Sequence, residues 1–277
     1  MKKKSSTVIV VIILLAGLSL MLYPSVSNYW NSCHQTKAIQ NYVEQINSLS
    51  QEDYEKIWLE AEKYNDEISK RQMPFTLTPE EKEKYGSMLL LPGSDVMGYI
   101  EIECIDVSLP IYHGTDDSIL SEAVGHLDWS YLPVGGLGTH CVISGHRGLP
   151  SARLFTDLDR VMVGDTFVIR VLNEILTYEV DRIVTVEPND VSNLGPVEGK
   201  DYCTLVTCTP YGINTHRLLV RGHRVENATD GADIRITSTA VQIKPVIVAA
   251  FISVPVVSLL LVLLFVSDKK RKKYFEE

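Results

Sequence analysis

Thr204-Leu205-Val206-Thr207-Cys208-Thr209-Pro210 is the stretch that decides the fold class. Its first five residues are β-branched or apolar up to the cysteine and read as a strand. Pro210 ends it, because proline lacks the backbone N–H a ladder needs and disfavours helix at the residue before it. The strand therefore carries a thiol at its terminus. Arg217 opens a second run of the same kind that reaches Val225, and Tyr211 to Thr215 fits a hairpin between the two. This predicts neighbouring strands with Arg217 brought back alongside Cys208.

Outward from this pair the strand period persists. Tyr99-Ile100-Glu101-Ile102-Glu103 alternates, Val107 to Tyr112 follows, and His113-Gly114 marks a turn. Thr139 to Ser144 is apolar and stops at Gly145, and Thr166 to Val171 with Ile175 to Val186 reads as a hairpin turned near Asn173. Asp117 to Val124 fits a short helix. Short strands with few helices predict a closed or sandwiched antiparallel β-architecture. Upstream the period is helical from Pro24 to about Glu67, with Ile39, Val43 and Ile46, then Ile57, Trp58, Ala61 and Tyr64, at helix spacing. From Arg71 to Ser94 the pattern weakens into a surface segment with one helical turn. Segments of that length are usually functional or disordered.

Both ends are apolar with basic flanks. Lys2, Lys3 and Lys4 precede an apolar stretch from Thr7 to Tyr23, and Pro245 to Val266 precedes Lys269-Lys270-Arg271-Lys272-Lys273. About 20 apolar residues cross a bilayer as helix. Lysine and arginine resist translocation, so both flanks belong in the cytoplasm and Pro24 to Lys244 outside. A cleaved signal peptide is the alternative for the first stretch, but Tyr23-Pro24-Ser25-Val26-Ser27 offers no small-x-small cleavage site. A buried core helix is the alternative for the second, and its basic cluster argues against it. The net charge of −9 becomes −14 between the flanks: removing eight basic residues and Asp268, Glu276 and Glu277 leaves 18 basic against 32 acidic. That balance excludes nucleic acid as a partner and suits a substrate presenting lysine, although an acidic face is also an ordinary solvated one.

The cysteines are Cys33, Cys104, Cys141, Cys203 and Cys208. An odd number with no CxxC pair gives zinc poor support and leaves structural disulfides open. Cys208 is either a buried core thiol or a nucleophile, which needs a positive neighbour to form its thiolate. His146, in Ile143-Ser144-Gly145-His146-Arg147-Gly148, stands past another apolar strand and could exchange a proton with an amine. His34, His113, His126, His140, His216 and His223 compete for that role. Arg217 could hold an oxyanion with its guanidinium or be a surface arginine, with Arg221 and Arg224 as rivals.

Taken together these segments resemble the sortases of Gram-positive bacteria. Thr204-Leu-Val-Thr-Cys208 matches their TLxTC signature. Ser144-Gly-His-Arg-Gly148 is similar to their histidine segment, and His216-Arg217-Leu-Leu-Val-Arg-Gly222 to their arginine strand. Gly98-Tyr-Ile-Glu-Ile102, Leu109-Pro-Ile-Tyr112, Leu132-Pro-Val-Gly-Gly136 and Leu154-Phe-Thr-Asp-Leu158 resemble the pilin-associated class C. The likeness covers Val96 to Val225.

The resemblance implies a mainly β fold: a sortase-like closed β-barrel with short helices, a helical N-terminal extension and two terminal transmembrane helices. Its segments would be an N-terminal anchor at 1–23, a helical extension and lid-like segment at 24–95, and a catalytic barrel at 96–226. A linker at 227–244, a transmembrane helix at 245–266 and a basic cytoplasmic tail at 267–277 would follow. The catalytic domain would be extracellular on a two-pass membrane protein with both termini cytoplasmic.

By the same resemblance Cys208 attacks the Thr–Gly bond of an LPxTG-like sorting signal, His146 protonates the departing amine, and Arg217 holds the acyl carbonyl. Thr207 supports substrate or oxyanion. A lysine of a neighbouring pilin subunit then resolves the thioester. No metal or cofactor is implied. Class C sortases usually carry an Asp-Pro-aromatic lid, which here reads Met73-Pro74-Phe75. Phe75 would cover Cys208 without an ionic latch, unless 71–94 is a linker and another acid such as Asp66 pairs with the arginine. Losing a buried charge-assisted contact worth ~1.5–3 kcal/mol would raise the open fraction tenfold or more. Competing functions are anchoring of proteins to peptidoglycan, a non-catalytic surface scaffold, and an unrelated cysteine peptidase, which would want an orienting Asn or Asp.

Overall fold

The computed structural model describes residues 2–72 and 74–227. The expected second span at 245–266, the tail at 267–277, nearly all of the linker and Met73 lie outside those residues. Helix α1 (Lys2–Ser48) runs through Pro24 without ending there. Among the described residues it is the one helix long and apolar enough to cross a membrane.

The described residues from Trp30 to Asn227 belong to one compact unit. Helix α2 (Gln51–Ile68) starts at Ser50, whose hydroxyl accepts the Asp53 N–H, and it buries Ala61, Tyr64, Asn65 and Ile68 along one face. Helix α3 (Pro79–Ser87) is a full nine residues where the sequence suggested one turn. Thr78 and Glu81 close a capping box around it, with Pro79 in the first turn.

Eight strands follow: β1 (Val96–Ile102), β2 (Val107–His113), β3 (Val124–His126), β4 (Thr139–Gly145), β5 (Thr166–Val171), β6 (Glu174–Val186), β7 (Asp201–Thr209) and β8 (His216–Arg224). They close into a barrel in the order β1-β2-β3-β4-β7-β8-β6-β5. The expected closed barrel is present, but it is not purely antiparallel: β2 pairs with β3, and β4 with β7, in parallel. Between β4 and β7 the chain leaves to build the β5–β6 hairpin and returns at the starting end, which forces the parallel pairing. The helix expected over Asp117 to Val124 is shorter. Helix α4 (Asp117–Leu120) ends early and Val124 enters β3, opposite Gly145.

Strand β1 looks half-exposed in sequence yet is buried almost throughout, because the helical extension covers it. Tyr42 of α1 donates to the Met97 carbonyl at 3.0 Å and accepts the Leu172 N–H at 2.8 Å. Asn65 of α2 grips Leu132, donating to its carbonyl at 3.2 Å and accepting its N–H at 2.8 Å. Tyr85 of α3 accepts the Gly114 N–H at 3.0 Å and lies 2.9 Å from His126 Nδ1. Each satisfies backbone or imidazole groups that burial would otherwise strand, at a net ~1 kcal/mol per bond.

Two apolar layers flank the barrel wall. The inner one holds Ile100, Ile111, Ile143, Cys203, Leu205 and Val220, among others. A second cluster, Val142, Val206 and Leu219 with Leu194, lies on the other face of β4, β7 and β8. It is flanked by Leu127, Trp129, Val184, Val186 and Val191. All five cysteines are free thiols, which resolves the disulfide question left open by the sequence.

Candidate active site

Alternation along three adjacent strands builds the site. On β7 the residues Cys203 and Leu205 belong to the inner core, so Thr204, Val206 and Cys208 share the opposite face. On β8, Leu218 and Val220 point inward, and Arg217 shares its face with Leu219. Cys208 and Arg217 are direct Cα partners in the antiparallel β7–β8 ladder. On β4, Cys141 and Ile143 are inner residues, and Val142 and Ser144 lie in the outer row that continues to His146.

The β4–β7 register brings His146 to Cys208. Ser144 is opposite Val206 in the parallel ladder. The same offset of 62 residues continues past it: Thr207 Oγ1 donates to the Gly145 carbonyl at 2.8 Å, and Arg147 Nη1 donates to Thr209 Oγ1 at 3.4 Å. Extended at the same offset, the register sets the His146 position level with Cys208, with a bonded pair of that offset on either side. Phe155 N–H caps the His146 carbonyl at 3.1 Å and fixes the backbone turn there.

Cys208 is partly exposed, as a reacting thiol must be. Arg217 sends Nη1 to the carbonyls of Asn214 at 3.3 Å and His216 at 3.1 Å. Among the described residues no carboxylate pairs with Arg217; the ion pairs nearest in sequence are His216 with Glu187 and Arg221 with Asp181. The latter makes Arg221 a structural rival, held bidentately at 2.9 Å by Asp181. Arg224 is likewise occupied, by the Thr177, Ile175 and Val225 carbonyls. Thr207 is buried and spends its hydroxyl on Gly145, so it ties β7 to β4 instead of facing a substrate.

Five of the six rival histidines are engaged with other groups, and His223 lies on β8 opposite Tyr202. His126 is fully buried and bonded to Tyr85 and Tyr131. His140 lies between Gly195 and Thr204, with burial lowering its pKa to about 4; burial lowers that of His113, bonded to Met88, equally. His216 sits 3.4 Å from Glu187, and His34 bonds its own helix.

In the lid-like segment Pro74 is exposed and Phe75 is half-buried against the core. The Arg71 guanidinium stacks 4.9 Å from the Phe75 ring and pairs with Glu81. Asp66 makes no ion pair among those found in the described residues, whereas its neighbour Glu67 pairs with Lys84 at 2.5 Å. Glu67 and Glu81 thus bind cations of the segment itself. No group of metal-ligating side chains is assembled among the described residues.

The sequence reading missed Arg147 and Asp159. The Arg147 side chain is 8% exposed and pairs with the Asp159 carboxylate. Arg147 was legible as the neighbour of His146; its partner, in the loop before β5, carries no periodic signal.

With this geometry in place, the comparisons agree on its lineage. The sortase domain model matches residues 100–225. Sortase C1 from Streptococcus agalactiae is 50% identical, with a TM-score of 0.67, the match covering 69% of this chain and 100% of that one. Sortase C from Streptococcus pneumoniae is 42% identical with a TM-score of 0.63, covering 69% and 97%. Sortase D of Bacillus subtilis is 31% identical over 131 residues, 46% of this chain and 63% of that protein, so less than two thirds of its length is spanned. The chain belongs to the sortase family.

Proposed function

We propose that this protein is a membrane-anchored cysteine transpeptidase that joins pilin subunits through lysine isopeptide bonds. The observation that carries the reading is the Cα pairing of Cys208 with Arg217 across β7 and β8, beside the end of β4 that leads into His146. Likeness to sortase C structures supports the pilin assignment, one of them reported in connection with pilin substrate specificity.

The Cys208 thiolate attacks the threonine carbonyl carbon of an LPxTG-like signal. Arg217 N–H groups stabilise the oxyanion, which collapses with loss of the Thr–Gly nitrogen. His146 supplies the proton that this leaving amine takes up. A pilin lysine Nζ then attacks the thioester, gives its proton back to the imidazole, and releases the thiolate. The thioester conserves the acyl bond energy, so the proposed transfer uses no nucleotide and no metal. An acidic ectodomain, −14 by the count above, favours approach of a lysine-bearing partner. In this reading α1 anchors the protein with Lys2 to Lys4 in the cytoplasm, a second span at 245–266 returns the chain, and the barrel faces outward.

The test is mass spectrometry of the full-length protein in detergent, incubated with an LPxTG peptide. An acyl adduct on Cys208 that is discharged by a lysine-bearing pilin peptide, in preference to a peptidoglycan cross-bridge amine, is expected. Preference for the cross-bridge amine would assign the protein to wall anchoring. Full retention of function by Cys208→Ala would make it a scaffold.

A further inference from the structure

We propose that Arg147 is a positioning residue that keeps His146 in register with Cys208 beyond the point where the β4–β7 ladder ends. The proposal rests on the reading of Cys208 as nucleophile and His146 as acid.

Strand β4 stops at Gly145, so the backbone ladder alone does not hold His146 in place. The side chain of the next residue does. Arg147 reaches three separate elements. Its Nη2 pairs with Asp159 in the short 3₁₀ turn Leu158–Arg160. Its Nη1 donates to Thr209 Oγ1, the residue after the thiol, at 3.4 Å. Its guanidinium lies 5.8 Å from the Tyr211 ring in the β7–β8 turn. Gly148 packs against the same ring: a Cβ there would meet Tyr211 at 3.2 Å, and its φ of +78° is one that favours glycine. The chain on both sides of the imidazole is therefore clamped to the chain on both sides of the thiol's exit.

The clamp is held at a cost. A guanidinium with only 8% of its side chain exposed is unfavourable unless paired, and Arg147 Nε has no hydrogen bond. A plain surface arginine would not occupy such a place. The Arg147 contacts named here are to Asp159, Thr209 and Tyr211 and not to the thiol, so the proposed effect passes through His146.

The experiment separates leaving groups. An amide substrate needs a proton from His146 as its amine departs. A thioester analogue of the same peptide expels a thiolate, which is stable near its pKa of ~8.5 and needs no donor. Full-length wild type, His146→Ala, Arg147→Met, Arg147→Lys and Asp159→Asn are assayed on both in detergent. Arg147→Met is expected to lose about 10²-fold in kcat on the amide, as His146→Ala does, and to stay within about threefold of wild type on the thioester. Arg147→Lys keeps the Asp159 pair and should recover part of the amide rate. Asp159→Asn leaves the guanidinium in place and is read by the same ratio, so that misfolding of Arg147→Met does not decide the matter. Equal losses on both substrates, or an unchanged amide rate, would overturn the proposal. A His146→Ala variant that loses both substrates equally would instead remove the underlying acid assignment.

Discussion

Cys208 and Arg217 face each other as Cα partners across the β7–β8 ladder, and the guanidinium is turned toward carbonyls of its own hairpin, with no carboxylate pairing among the described residues. A cation held by neutral acceptors keeps its charge available to a developing oxyanion. Arg217→Lys preserves that charge but loses the planar fork. We expect acylation by an LPxTG peptide to fall about 10²–10³-fold in this variant. Alkylation of Cys208 by iodoacetamide should stay within about threefold, since it needs no oxyanion support. Acylation at the wild-type rate would remove Arg217 from the site.

Phe75 gives the lid its own prediction. Its ring is stacked by Arg71, which is paired with Glu81 of α3, so the segment is latched to itself and not to Arg217. If Phe75 covers the thiol, Phe75→Ala should alkylate faster at Cys208, by about tenfold where one buried aromatic contact is lost. Equal alkylation rates for Phe75→Ala and wild type would end the lid reading.

These two cases mark how far the sequence reaches. The residues of β7 and β8 were legible because a strand's period of two is written in local side chains, and a short turn leaves one way to pair them. The parallel partnership of β4 and β7 was not, since parallel and antiparallel strands share that period. Strand β3 has three residues, too few to show any period. Tyr42, Asn65 and Tyr85 read as ordinary helix residues, and their bonds to Met97, Leu132 and Gly114 exist only once the extension lies on the barrel. Thr207 is a different case: its place beside the thiol suggested a role with substrate, and its hydroxyl is bonded to the Gly145 carbonyl, a partner that local sequence does not reveal.

His140 and His113 should make the fold acid-sensitive. Burial lowers both pKa values to about 4, below an unfolded value of about 6.5. The unfolded chain then takes up protons first, so this contribution is complete above pH ~6.5 and is lost as pH falls toward ~4. Each histidine contributes about 2 kcal/mol of destabilisation between pH 7 and 5. Urea unfolding of the full-length protein at the two pH values checks the slope. His140→Gln should flatten it by its share even though it costs stability at pH 7, where the bonds to Gly195 and Thr204 are disturbed. An unchanged slope in His140→Gln would contradict the assignment.

Gly145 tests whether packing behind the imidazole matters to its alignment. A Cβ at this position would lie 2.6 Å from Phe155 Cδ2 and 2.9 Å from Val124 Cγ1. Both neighbours are buried, so the strand end must shift, and overpacking of this kind costs about 1–3 kcal/mol. Because Phe155 also donates its N–H to the His146 carbonyl, the shift passes directly to the residue in register with the thiol. Gly145→Ala should therefore lower both the unfolding temperature and kcat on an amide substrate, and a second change, Phe155→Leu, should restore part of each. Gly222→Ala is the control. Its Cβ would meet Phe167 at 2.7 Å and Tyr178 at 2.9 Å, next to Cys203 and well down β8 from Arg217. It should destabilise comparably yet leave kcat near wild type while the protein stays folded. If the two variants lose activity only in proportion to stability, the backing of His146 by Phe155 has no separate catalytic consequence.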